Sequence, residues 1–189
     1  MSNHIYYLPG FGGRLETGLG SGLLSRGFSI SGRETSGDFG ALPFEDQVEA
    51  IADDLKTHHW RSNAHVVANS FGAYLFLQAQ LLLPSFPGRV LLLSPIIGSF
   101  GGASRGTQFI PPRHNRLTST VHAGNFRAPV SCEIHVGEDD WQSCPEAVSR
   151  FANALSISVT IVSGAGHMLG KAYVGCLLDR WIRNESGTL

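Results

Sequence analysis

The sequence predicts an α/β protein, a three-layer α/β/α sandwich around a mostly parallel sheet of about six strands. Three observations predict it. Short apolar runs of strand length alternate with stretches of helical period along nearly the whole chain. The run Val90-Leu91-Leu92-Leu93 is apolar without interruption, as a strand covered on both faces must be. Gly-rich turns, such as Pro9-Gly10-Phe11-Gly12-Gly13, follow the runs directly. With 189 residues, the natural expectation is a single domain over 1–189.

Each element has its own signal. Ile5-Tyr6-Tyr7-Leu8 is the first strand, and a Gly-rich helix is expected around Leu15 to Ser25. Phe28 to Ser31 gives a short second strand. From Phe44, apolar residues recur at Val48, Ile51 and Leu55, the spacing of one helix face. His65-Val66-Val67 marks the third strand. The helix after Ser70 carries Phe71, Leu75 and Leu82 on one side and is apolar around most of its surface, so it should be well buried. Ser131 to Val136 is a strand, and Ser143 with Glu146 fits a capping box before a helix through Val148, Phe151, Ala152 and Leu155. Val159 to Val162 is the last strand. Val174, Leu177, Leu178, Trp181 and Ile182 form the clearest amphipathic helix. Residues 98–129 show no convincing period. A stretch that long inside a compact domain reads as a short lid or substrate-site loop.

Composition narrows the function classes. At 42% hydrophobic and 15% charged residues the chain can bury a core, and a net charge of −1 offers no broad attraction to nucleic acid or anionic membrane. Cys132, Cys144 and Cys176 have neither disulfide-framework nor zinc spacing, which suits reduced thiols. The N-terminus enters a strand without the basic-then-apolar pattern of a signal peptide, and no segment approaches the ~18 apolar residues of a membrane span. The expectation is a cytoplasmic protein with a small-molecule ligand, no nucleic-acid partner and no membrane span.

In a parallel sheet, ligands sit beyond the carboxyl ends of the strands. The third strand ends in Ala68-Asn69-Ser70-Phe71-Gly72, where small residues flank a serine between strand and helix. The fifth leads into Gly137-Glu138-Asp139-Asp140 and the sixth into Ser163-Gly164-Ala165-Gly166-His167. A serine at neutral pH needs a base, and the base needs a group to orient it. Three strand ends supply one of each type at the same sheet edge, in the order Ser, acid, His.

These residues resemble the α/β-hydrolase superfamily over nearly the whole chain, with small members lacking a cap domain the most similar in layout. Ala68-Asn69-Ser70-Phe71-Gly72 resembles the G-x-S-x-G nucleophile elbow, with Ala at its first glycine. The resemblance implies Ser70 as nucleophile and His167 as general base. The family's Gly-x-x-Asp spacing selects Asp140 as the orienting acid, with Asp139 as the alternative. It also implies an oxyanion hole from the backbone N–H groups of Phe71 and Phe11. Pro9 stands where the family's His-Gly-x-Gly loop often has histidine, which leaves open how that loop is anchored. The implied activity is cleavage of an ester or thioester through an acyl-enzyme on Ser70, with no cofactor and no metal. Phe100, Phe109, Ile110 and Phe126 are candidate apolar contacts for the substrate, and Arg105, Arg113 and Arg116 candidate contacts for an acidic one.

Other readings explain less. A nucleotide-binding Rossmann domain would use Gly10-Phe11-Gly12 after the first strand, but G-x-G-x-x-G needs glycine where Leu15 stands. A P-loop at Gly164 to Lys171 has the wrong spacing and Ala172 in place of Ser or Thr. His58 and His59 read as a helix end where positive charge is favourable, and His4, His65, His114, His122 and His135 lack ligand spacing. A catalytically silent hydrolase-like fold serving as a binding protein is the non-enzymatic alternative.

Overall fold

The protein is described by a computed structural model covering residues 4–102 and 106–183. The chain opens with β1 (His4–Leu8), α1 (Leu19–Leu24), β2 (Ser29–Gly32), α2 (Gly37–Ala41) and α3 (Phe44–His58). It continues through β3 (His65–Asn69), α4 (Phe71–Gln80) and β4 (Arg89–Leu93) to a short hairpin, β5 (Phe100–Gly102) and β6 (Thr107–Phe109). Then follow α5 (His114–His122), β7 (Ser131–Gly137), α6 (Pro145–Ala154), β8 (Ser158–Val162) and α7 (Lys171–Arg183). Six strands form one sheet in the order β2-β1-β3-β4-β7-β8, and every pairing in it is parallel.

Strand periodicity divides the core into two layers. Side chains two apart share a face, so Tyr6, Leu8, Val66, Ala68, Val90, Leu92, Ile134 and Val136 pack on one side with residues of α3, α4 and α6. Ile5, Tyr7, Val67, Leu91 and Leu93 pack on the other with Leu23 of α1 and with Leu177, Leu178 and Trp181 of α7. Because β1, β3 and β4 are covered on both faces, they read as continuous apolar runs in the sequence. α4 is buried from Gly72 to Gln80 and lies between α3 and the sheet, which explains a helix with little amphipathic contrast.

Several boundaries differ from the sequence expectation for local physical reasons. α1 begins at Leu19 rather than Leu15, since Gly18 at φ +53° starts the helix and the Leu15 N–H bonds instead to the Glu34 carboxylate. α4 ends at Gln80. The chain then tightens through bonds from Leu82 N to Ala79 O and Leu83 N to Gln80 O, leaving Leu82 exposed rather than on the helix face. The capping box at Ser143 and Glu146 does not form: α6 starts one residue later, with Cys144 as cap and Pro145 in its first turn. The Ser143 hydroxyl donates to the Ser94 carbonyl at 2.8 Å.

Residues 98–129 are more ordered than their sequence suggests. They hold the antiparallel hairpin β5–β6, with Phe100 opposite Phe109, and the helix α5. Two three-residue strands are too short to produce alternation, and the nine residues of α5 place only Leu117 and the partly buried Val121 against the core, too few to show a period. No helix among the described residues is long and apolar enough to cross a membrane.

α4 meets β1 almost in contact. A Cβ at Gly72 would lie 2.3 Å from the carbonyl oxygens of both Leu8 and Pro9. Gly72→Ala should therefore cost about 1–3 kcal/mol, because backbone rather than a side-chain tip must yield. Urea unfolding of the variant checks this, and an unchanged midpoint would show that α4 has room to retreat.

Candidate active site

The parallel register brings the carboxyl ends of β1, β3, β7 and β8 to one sheet edge. The turn after β3 is the sharpest feature there. Ser70 sits at φ +53° and ψ −120°, a conformation that L-residues rarely adopt. Three backbone bonds hold it. Its N–H donates to Leu93 O at 2.9 Å, and its carbonyl accepts from Tyr74 N at 3.2 Å and Ile96 N at 3.4 Å. The strain is worth about 1–3 kcal/mol and persists because β4 and α4 both fix the turn. The small residues around Ser70 have separate reasons: Ala68 lies in the packed core, and Gly72 clears the end of β1.

Ser70 Oγ lies 2.8 Å from His167 Nε2. The other ring nitrogen, Nδ1, lies 2.9 and 3.0 Å from the two Asp140 carboxylate oxygens. An Nδ1–H directed at that carboxylate leaves Nε2 as the acceptor facing the serine hydroxyl. Asp140 is fully buried, whereas Asp139 is exposed. Asp140 also accepts the N–H groups of Gln142 and Ser143 at 3.0 and 2.9 Å. Burial pushes its pKa up, but the hydrogen bonds from His167 and the Ser143 N–H outweigh that and hold the carboxyl below its ordinary value.

Further contacts lock the acid and histidine loops together. Glu138 accepts Ser163 Oγ at 2.8 Å and Gly164 N at 3.0 Å, and those two bonds depress its pKa. Asp139 contributes its N–H, to Ala165 O at 2.9 Å. Ser143 Oγ sits 3.4 Å from His167 Nδ1 while bonding to Ser94 O. The serine read from sequence as a helix cap instead connects the end of β4 to the acid loop.

The loop after β1 closes over Ser70 from the other side. A Cβ at Gly10 would lie 3.2 Å from Ser70 Cβ, tighter than ordinary contact. Phe11 meets Phe71 edge to face, with ring centroids 5.8 Å apart. Phe71 opens α4, where an N–H has no partner within its own helix. The anchor that Pro9 left unexplained comes from the segment after β2. Thr35 Oγ1 donates to Gly10 O and accepts Gly13 N, Glu34 accepts Leu15 N, and Ser36 Oγ donates to Gly13 O. No sequence spacing marks these residues as partners of a loop some twenty positions earlier.

The 98–129 segment passes over this edge. Phe100 packs on Phe109 at 5.0 Å and on Trp141 at 5.6 Å, beside the acid loop. On the other flank, Tyr74 of α4 donates its hydroxyl to Pro112 O. Phe126 does not reach the site: it is buried against Phe151. Arg113 and Arg116 share the single Glu45 carboxylate at 2.6 and 3.7 Å, so one of their two charges is matched, and Arg105 lies outside the described residues.

The fold is the α/β-hydrolase fold. The chain is similar to alpha/beta hydrolase domain-containing protein 10 from mouse, with 14% identity and a TM-score of 0.68 over 96% of this chain and 90% of that one. It is similar to a monoacylglycerol lipase from Paleococcus ferrophilus, with 13% identity and a TM-score of 0.65 over 95% and 93% of the two chains. A structure from work on carboxylesterases of Nitrososphaera gargenis shares 10% identity at a TM-score of 0.63, covering 99% and 92%. No protein-family model matches the sequence, nor does any curated protein.

The carboxylate geometry generates two expectations. Asp140→Asn should lower turnover by about 10⁴-fold, through the wrong imidazole tautomer, while Asp139→Asn leaves it essentially unchanged. Steady-state kinetics of both variants checks this, and the reverse pattern would move the acid to Asp139. Because folding depresses the Asp140 pKa, its contribution to stability is present above the unfolded carboxyl value of ~3.9 and is lost as pH falls through the lower folded value. The melting-temperature gap between the wild type and Asp140→Asn should therefore be widest near neutrality and shrink below about pH 4.

Proposed function

We propose that this protein is a serine hydrolase that cleaves an ester or thioester with an apolar acyl group through an acyl-enzyme on Ser70. The observation that carries the reading is the unbroken chain from Ser70 Oγ through the His167 ring to the buried Asp140 carboxylate, at 2.8 Å and 2.9 Å. A buried carboxylate paired to an imidazole whose far nitrogen faces a strained serine matches what nucleophilic acyl transfer requires.

In the proposed reaction His167 Nε2 takes the Ser70 proton as Oγ attacks the acyl carbon. Asp140 keeps the ring oriented and stabilises its charged form. The Phe11 and Phe71 N–H groups stabilise the oxyanion, aided by the positive end of α4. The protonated histidine then gives its proton to the leaving alkoxide or thiolate. Water, deprotonated by the same nitrogen, releases the acid and restores Ser70.

The surroundings favour an uncharged, apolar acyl group. Phe11 and Met168 are more than 80% exposed, on the loops after β1 and β8. Trp141, Phe109 and Ile110 are also exposed at the same edge. Large apolar side chains left in water on several loops around one serine support recognition of apolar substrate surface.

A fluorophosphonate probe should label the folded wild type, and Ser70→Ala should abolish both labelling and turnover without lowering the melting temperature. Among p-nitrophenyl esters, kcat/KM should rise from acetate to hexanoate by about tenfold or more, since each buried methylene adds about 0.8 kcal/mol. Absence of labelling, or labelling that persists in Ser70→Ala, would overturn the reading in favour of a silent binding protein.

A further inference from the structure

A second polar cleft lies away from the triad. It has a volume of about 470 Å³ and is bounded by β1, the outer strand β2 and the C-terminal end of α3. His4, Ser31, Arg33, Asp54, His59 and Arg61 form much of its wall. The cleft reaches the amino-terminal end of β1, whereas Ser70 follows the carboxyl end of β3, and it contains none of the residues assigned to acyl transfer.

Its polar groups form an organised array. The His4 ring bonds Ser29 Oγ at 2.9 Å and Ser31 Oγ at 2.8 Å, and it stacks on His59 with centroids 5.3 Å apart and planes at 12°. Ser31 Oγ lies 3.3 Å from His59 Nε2, so one hydroxyl joins the two rings. Asp54 is fully occupied by a two-pronged bond from Arg33, 2.7 Å on each prong, and by the Tyr6 hydroxyl at 2.7 Å.

The charge balance is positive. Arg33 and Asp54 cancel, which leaves Arg61. Among the described residues, no carboxylate comes within salt-bridge distance of its guanidinium, which bonds only the His58 carbonyl, at 2.9 Å. The histidines register this field. Burial first, and then the positive charge of His4, Arg61 and His58, pushes His59 down to about 4, and burial followed by Arg61 lowers His4. A terminal histidine pair that should gain from a helix end is instead held neutral at His59, contrary to the sequence expectation.

We propose that this cleft binds a phosphate group, free or as the monoester of a small molecule. Donors come from separate elements: the guanidinium nitrogen of Arg33, after β2, that Asp54 leaves unoccupied, and the Arg61 guanidinium beyond α3. Donors arriving from different directions suit a tetrahedral oxyanion, whereas a planar carboxylate is served by a single fork. An anion entering beside Arg61 offsets the positive charge that, after burial, lowers the pKa values of His4 and His59.

The test is an NMR titration of the imidazole protons with inorganic phosphate, phenyl phosphate and acetate at constant ionic strength. Phosphate should shift the His4 and His59 resonances saturably, acetate should not, and Arg61→Ala should weaken binding by about tenfold. Ser70→Ala should bind as the wild type does, which separates this site from the fate of the hydrolase reading. Tighter binding of phenyl phosphate identifies a monoester ligand, and tighter binding of inorganic phosphate identifies the free anion. Shifts that do not saturate, equal effects of acetate, or unchanged affinity in Arg61→Ala would overturn the proposal.

Discussion

The backbone of Ser70 is the constraint on which the site depends. At φ +53° the chain reverses from strand to helix in one residue, and it stays there only because β4 accepts the Ser70 N–H and α4 and Ile96 donate to its carbonyl. That turn requires α4 to approach the end of β1 closely enough to exclude any side chain at residue 72. It therefore fixes the spacing between β1, β3 and the central buried helix. The same approach brings the β1 loop over the serine. Core packing and site geometry are one requirement here, met by the same small residues.

A second dependence runs through the loops. The acid and histidine lie on neighbouring strands, and their loops are tied by Glu138 to Ser163 and Gly164, and by Asp139 N to Ala165. Ser143 extends this to β4. Each side chain of the candidate site is thus held by residues with no part in the proposed chemistry. The Asp140 carboxylate shows the electrostatic result: full burial would neutralise it, and three N–H donors keep it charged.

Much of this was legible in the sequence, for identifiable reasons. Continuous apolar runs located β1, β3 and β4 because both faces of those strands are covered. The wide apolar surface after Ser70 located α4, and the 3.6 period located α3 and α7. Serine, acid and histidine could be placed because a parallel sheet puts every βα loop at one edge. Side-chain bonds between distant segments leave no periodic trace, so Thr35 holding Gly10 and Ser143 holding Ser94 were invisible. Short elements with little burial, such as β5, β6 and α5, gave no pattern to read. The ion pairs of Arg113 and Arg116 left no trace because their partner Glu45 lies in a distant helix.

The insertion between β4 and β7 has a consequence for how such a protein can diversify. β4 and β7 are direct neighbours in the sheet, so the sheet is complete without the hairpin and α5. Those elements can lengthen, shorten or change composition without altering strand register or displacing Ser70. The segment that passes over the site and the frame that holds Ser70, His167 and Asp140 are thereby physically separable parts of one chain. A chain built this way can reshape its outer segment while the sheet beneath it stays as it is.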